Sequence, residues 1–179
     1  AHMLLGNCYE KLGDLNQAKI SYDRSISINP NNIDSINNLA AWYFIKGDML
    51  ETEKLYNLSI NKNKNNADSR YYLSLCQLAQ SNYTEGWLNF EYRWLANEYN
   101  SQKFKSNLPK FKFNNDKKNL LVWKEQGVGD QILFMRFLKD IQPYVDNLFI
   151  NIDKRLHPII ERSFPKILFF DKNKDFFVD

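Results

Sequence analysis

The chain has 179 residues, 44% hydrophobic and 25% charged, which is apolar material for one ordinary domain or two small ones and too much for a disordered tail. Its net charge of +3 is too mild to mark a binder of nucleic acid or of a membrane surface, and no apolar run reaches the roughly 20 residues of a membrane span. Cys8 and Cys76 lack metal-ligand spacing, which argues against a zinc module or a disulfide scaffold and for a reducing, cytoplasmic setting. No secretory signal opens the chain, and Ala1-His2-Met3 reads as a vector scar standing where the natural start should be.

Shifted by about 34 residues, the sequence falls into register with itself. Leu5 lands on Leu39 and Leu73, Tyr9 on Tyr43, Gly13 on Gly47, and Asp14 on Asp48 and Asn82. Ala18 lands on Thr52 and Gly86, and Tyr22 on Tyr56 and Phe90. Each unit reads as two antiparallel helices. Leu4, Leu5, Cys8, Tyr9 and Leu12 recur at helical spacing until Gly13-Asp14 breaks the pattern, the Gly by positive φ and the Asp as the next cap. A second stripe, Leu15, Ala18, Tyr22 and Ile26, ends at Asn29-Pro30, where Pro30 lacks an N–H and holds Asn29 extended. The small residues mark close helix approach, and the aromatics fill the space between pairs. Cys8, Trp42 and Cys76 share one position and read as packing residues.

These units resemble tetratricopeptide repeats: a truncated one over 1–32, a second over 33–66 and a third over 67–100. Repeat two departs from the family pattern at Thr52 and Lys64; repeat three departs further, with Gly86-Trp87 and a long aromatic second helix, as expected of a capping unit. The expected fold is an α-helical solenoid of αα-hairpins followed by a partial Rossmann-like α/β segment. The resemblance implies a concave surface that takes a protein or peptide, lined by Asn7, Glu10, Asn37, Ala41, Phe44, Tyr71, Leu75 and Leu78. Asn37 can both donate to and accept from a peptide backbone, although a solvated surface explains Asn37 and Asn38 equally well. No Lys/Arg clamp for a C-terminal carboxylate is present, and the apolar lower groove suits an intramolecular partner as well as a foreign one.

Near residue 100 the composition turns basic. Lysines from Lys103 to Lys118 around Pro109, Phe111 and Phe113 read as a linker over 101–118 rather than as a single-strand nucleic-acid site. From Asn119 the period changes. Leu120–Trp123, Leu148–Ile152 and Ile167–Phe170 read as buried strands; an amphipathic helix runs from Ile132 to near Pro143, and a short one from His157 to Ser163. Strand–helix–strand–helix–strand opens a Rossmann-like sheet, and a stretch this short would leave edges exposed, so 119–179 is expected to be the first part of a longer domain. Exposed repeat ends or sheet edges also leave self-association open.

Gly127-x-Gly129-Asp130 lies between a strand and a helix, where open α/β sheets place ligands. It is neither a dinucleotide fingerprint nor a P-loop, and an acidic residue at a helix start repels a phosphate. Asp130 suits acceptance of a hydrogen bond from a hydroxyl; the competing reading makes it the helix N-cap, with the glycines serving a tight turn.

The blocks Gly86–Trp94, Leu108-Pro109 and Leu120–Phe137, in this order, resemble bacterial repeat proteins fused to a GT-B-type glycosyltransferase-like domain of the heptosyltransferase and O-linked N-acetylglucosamine transferase type. The resemblance implies that 119–179 is the N-terminal part of the first, acceptor-holding lobe. In it Asp130 corresponds to the base or acceptor-orienting group, and Gly127, Gly129 and Gln126 adjoin the acceptor. It also implies a nucleotide-sugar donor for the parent protein, whereas this segment, without a second lobe, is expected to hold no cofactor and to be inactive. The alternative is a non-enzymatic adaptor or scaffold.

Overall fold

The computed structural model describes residues 1–97, 99, 103, 108–112 and 118–170. They fall into two compact units, Ala1–Asn100 and Ser101–Asp179. Most of the expected 101–118 linker, Phe113 included, lies outside the described residues.

The first unit is three αα-hairpins: α1 (His2–Lys11) with α2 (Leu15–Ile28), α3 (Ile33–Lys46) with α4 (Met49–Lys62), and α5 (Ala67–Ala79) with α6 (Tyr83–Phe90). The turn inside each hairpin is built the same way. Gly13, Gly47 and Ser81 take the left-handed conformation at φ 82°, 80° and 62°. Their N–H groups donate to Glu10, Phe44 and Leu78, and those of the following residues to Tyr9, Tyr43 and Gln77, at 2.9–3.0 Å. That double bond satisfies the orphan carbonyls at a helix end. Asp14 and Asp48 then cap the second helices, accepting from Gln17 and Glu51, and Asn32 and Asn66 cap α3 and α5, accepting from Ser35 and Ser69.

Ser81 carries a Cβ where its two counterparts carry none, and a left-handed non-glycine residue is disfavoured by roughly 1–2 kcal/mol. Ser81→Gly should therefore stabilise the helical unit by about 0.5–1 kcal/mol once the greater freedom of glycine in the unfolded chain is deducted. A urea midpoint that falls instead would refute this.

The hairpins stack through one repeated interface. Ala18, Tyr22 and Leu39 form one core cluster, and Ala40, Tyr56, Ile60 and Leu73 the next. A buried hydroxyl pair crosses each boundary, Ser35 donating to Ser25 at 2.8 Å and Ser59 meeting Ser69 at 2.7 Å. Trp42 Nε1 donates to the Leu15 carbonyl at 2.6 Å, and Cys76 Sγ, at the same repeat position, lies 3.6 Å from the Met49 carbonyl.

The third repeat differs from expectation. Its second helix stops at Phe90 and tightens into a 3-10 turn over Glu91–Leu95. Arg93 occupies the position of Ser25 and Ser59. It is buried, donates from Nη1 to the Phe90 carbonyl at 3.0 Å, and lies over the Phe90 and Trp94 rings at 4.4 and 4.3 Å. The guanidinium thus caps a carbonyl at the end of α6.

The second unit holds a parallel sheet of β1 (Leu120–Trp123), β2 (Leu148–Asn151) and β3 (Leu168–Phe169) in that order, with Leu120 opposite Leu148 and Phe149 opposite Leu168. The expected helix from Ile132 to Pro143 is instead α7 (Val128–Met135), α8 (Leu138–Ile141) and a 3-10 turn, interrupted where Phe137 bonds back three residues to Phe134. α9 spans His157–Ser163. Alternation along the strands sends Leu120, Val122, Leu148, Ile150 and Phe169 to one core with Met135, Leu138, Leu156 and Ile160.

Candidate functional site

In the helical unit α1 touches α3 and α3 touches α5. First helices that meet in this way line the inner wall in a curved stack of such hairpins. Asn7 and Glu10 stand on this wall and meet at one hydroxyl: Tyr22 Oη donates at 2.6 Å to Glu10 and lies 3.0 Å from Asn7 Oδ1. Burial, and then the Glu10 carboxylate, push the Tyr22 phenol well above its usual pKa, so it remains a neutral donor at any ordinary pH. Asn38 Nδ2 donates to the same Asn7 oxygen at 2.7 Å and so ties the first two repeats together.

Asn37, expected to meet a peptide, has its Oδ1 engaged by Ser69 Oγ at 2.8 Å. Its amide oxygen extends the buried serine pair. Tyr71 is likewise occupied, its ring 5.9 Å from Phe90 and 5.5 Å from Tyr99. Leu78 packs against α6: a Cβ on Gly86 would lie 2.8 Å from Leu78 Cδ2. Phe44, Ala41 and Leu75 are half-buried on first helices. The polar hub at Tyr22 was not visible as such in the sequence, where Tyr22 reads as interface filler.

In the α/β unit the helix N-cap is Gly127, not Asp130. Asp130 sits in the first turn, with its Oδ2 3.6 Å from where a Cβ on Gly127 would stand. Gln131, unremarked in the sequence, links the ends of two strands: its Nε2 donates to the Gln126 carbonyl at 3.1 Å and its Oε1 accepts from the Asp153 N–H at 2.8 Å. Asp153 receives two bonds from the Arg155 guanidinium at 2.9 Å, which hold its carboxyl well below the usual range. His157 stacks on Phe169, ring centres 4.0 Å apart. Among the described residues no group of His, Cys, Asp and Glu could hold a metal ion. No helix there is long and apolar enough to cross a membrane.

Three helical hairpins in one register, each closed by the same left-handed turn, form a helical solenoid of the tetratricopeptide type. Residues 1–32 match the tetratricopeptide repeat family. The second such domain of Spaghetti (RPAP3), solved bound to an HSP90 peptide, superposes with a TM-score of 0.50 at 21% identity over 52% of this chain and 87% of that one. The Sgt2 domain from Aspergillus fumigatus gives 0.48 at 20% identity, over 51% and 60%. Protein FlbA of Caulobacter vibrioides is 38% identical over 53 residues, which are 28% of this chain and 9% of that protein's length.

Proposed function

We propose that the helical unit is a protein-interaction module that takes an extended peptide or a partner helix on the wall formed by α1, α3 and α5. The observation that carries this is the row of first helices in contact, α1 with α3 and α3 with α5, with half-buried Phe44, Ala41 and Leu75 on them and the Tyr22–Glu10–Asn7–Asn38 network beside them. The neighbour solved with an HSP90 peptide supports the reading by fold. This wall offers no cationic clamp, so the partner it suits is recognised by apolar side chains and main-chain amides rather than by a terminal carboxylate. Screening the protein against an array of extended peptides should give binders whose affinity falls at least about tenfold in Phe44→Glu, since a buried charge replaces an apolar contact. Binders indifferent to Phe44→Glu and Leu75→Glu would place the interaction elsewhere.

A second reading concerns the α/β unit: the opening part of a Rossmann-like lobe in a glycosyltransferase-like parent, with Asp130 orienting an acceptor hydroxyl. What favours it is the Gly127–Asp130 loop at the carboxyl end of β1 in a parallel sheet ordered β1-β2-β3, the place where open sheets bind ligands. Calorimetry of nucleotide-sugars against the full-length parent tests it. Binding, with transfer lost in Asp130→Ala, supports glycosyl transfer; no binding leaves the module an adaptor.

A further inference from the structure

The segment after the 3-10 turn of repeat three runs back to the first helix of its own repeat. In the 34-residue register Asn29, Asn63 and Asn97 are one position. The first two close their second helices, each N–H donating at 3.0 Å to the carbonyl of Ser25 or Ser59. Asn97 instead donates its N–H to Asp68 Oδ1 at 2.7 Å and its Nδ2 to Asp68 Oδ2 at 2.8 Å. Two donors of one residue thus hold both oxygens of one half-buried carboxylate, a charge-assisted pair with a defined direction. Ala96, just before, is extended and buried. Tyr99 sets its ring edge-on to Tyr71 at 5.5 Å and to Trp94 at 5.6 Å. Asp68 and Tyr71 stand one turn apart on α5 and correspond to Asp34 and Asn37 on α3.

We infer that Asp68 and Tyr71 form a site that reads an extended peptide bearing an asparagine and, two positions on, an aromatic residue, and that Ala96, Asn97 and Tyr99 are its resident occupant. The inference rests on the reading of α1, α3 and α5 as a peptide-binding wall, and it names what the third-repeat end of that wall recognises. A carboxylate there accepts an amide pair and repels an aspartate or a chain-terminal carboxylate. Arg93, buried four residues before Asn97, tethers the occupant and gives it a high effective concentration. A foreign peptide must displace it, and a site open in a tenth of the molecules binds about tenfold more weakly.

The test uses the whole chain and a labelled, acetylated copy of residues 94–100, Trp-Leu-Ala-Asn-Glu-Tyr-Asn. Asn97→Asp in the chain sets a second carboxylate against Asp68 and releases the occupant. The peptide should then bind at least about tenfold more tightly than to the unaltered chain. Adding Asp68→Ala should abolish that gain, and so should aspartate in place of the peptide's asparagine. Hydrogen exchange reads the same contact without any peptide. The Asn97 amide should be protected in the unaltered chain and exchange freely in Asp68→Ala, while α5 and α6 keep their protection. Phe44→Glu should leave the Asn97 amide protected, which tells a failure of the wider peptide-binding reading from a failure here. Equal binding to the unaltered and Asn97→Asp chains, or none to either, overturns the inference. So does exchange that spreads through α5 and α6 in Asp68→Ala, since the segment would then belong to the core of the repeat.

Discussion

Tyr22→Ala should cost the helical unit about 3–5 kcal/mol, the range for deleting a buried aromatic ring. Tyr22 is fully buried, and its ring fills the space left by the missing side chain of Gly6, where a Cβ would lie 2.4 Å from Cε1. The same ring packs with Ala18 and Leu39, so its loss opens both the first hairpin and the boundary to the second. Its hydroxyl contributes less. Glu10 is exposed and regains water when the phenol is removed, so Tyr22→Phe should cost only about 1 kcal/mol. Urea unfolding compared across the two variants separates ring from hydroxyl, and hydrogen exchange should show the losses in α1–α3. Equal effects of the two variants would mean that the polar hub, not the ring, holds the boundary.

In the α/β unit the largest effect is expected from Ile150→Ala, about 2–5 kcal/mol. Ile150 is 1% exposed on the middle strand, and it belongs to the core that also holds Met135, Leu138 and Ile160 from the three helices. β2 pairs with β1 on one side and β3 on the other, so no relaxation of a single strand can refill the cavity. Ile150→Val, one methylene smaller, should cost about 0.5–1.5 kcal/mol. Loss of exchange protection in β1–β3 is the readout, and a fully protected sheet in Ile150→Ala would show that the core lies elsewhere.

The helical hairpins were legible because their periodic residues act locally: leucine and tyrosine at helical spacing, glycine where φ is positive, aspartate at the cap. What the sequence hid was partnership across the period. Ser25 with Ser35 and Ser59 with Ser69 look like four unremarkable polar residues until stacking buries them together. Asn37 reads as a free amide because its partner, Ser69, lies in the next repeat. Ser81 takes the left-handed turn with a residue type that carries no signal for it. The strands were readable from apolar runs, but not their burial or length. β2 ends at Asn151, β3 is only Leu168–Phe169 with Leu168 exposed, and β1 is half-buried, since helices do not cover the whole sheet. Gln131, by contrast, gained its place only when the chain folded and brought Asp153 within 2.8 Å. Asp130 as N-cap failed for a local reason: the helix begins at Val128, three residues after Glu125, so the aspartate already lies inside the first turn.

The serine pairs carry one more consequence, for how such an array changes over generations. Each of the two boundaries presents the same hydroxyls, the same leucine and the same capping asparagine, Asn32 or Asn66. A duplication or loss of the segment 33–66 joins chemically equivalent ends, and the new boundary closes as the old ones do. Beyond the third repeat the serine is replaced by Arg93, held over Phe90 and Trp94, and a unit spliced in there would meet a guanidinium where it needs a hydroxyl. Recombination can lengthen this solenoid from within, whereas at the Arg93 end a new unit would lack the matching hydroxyl.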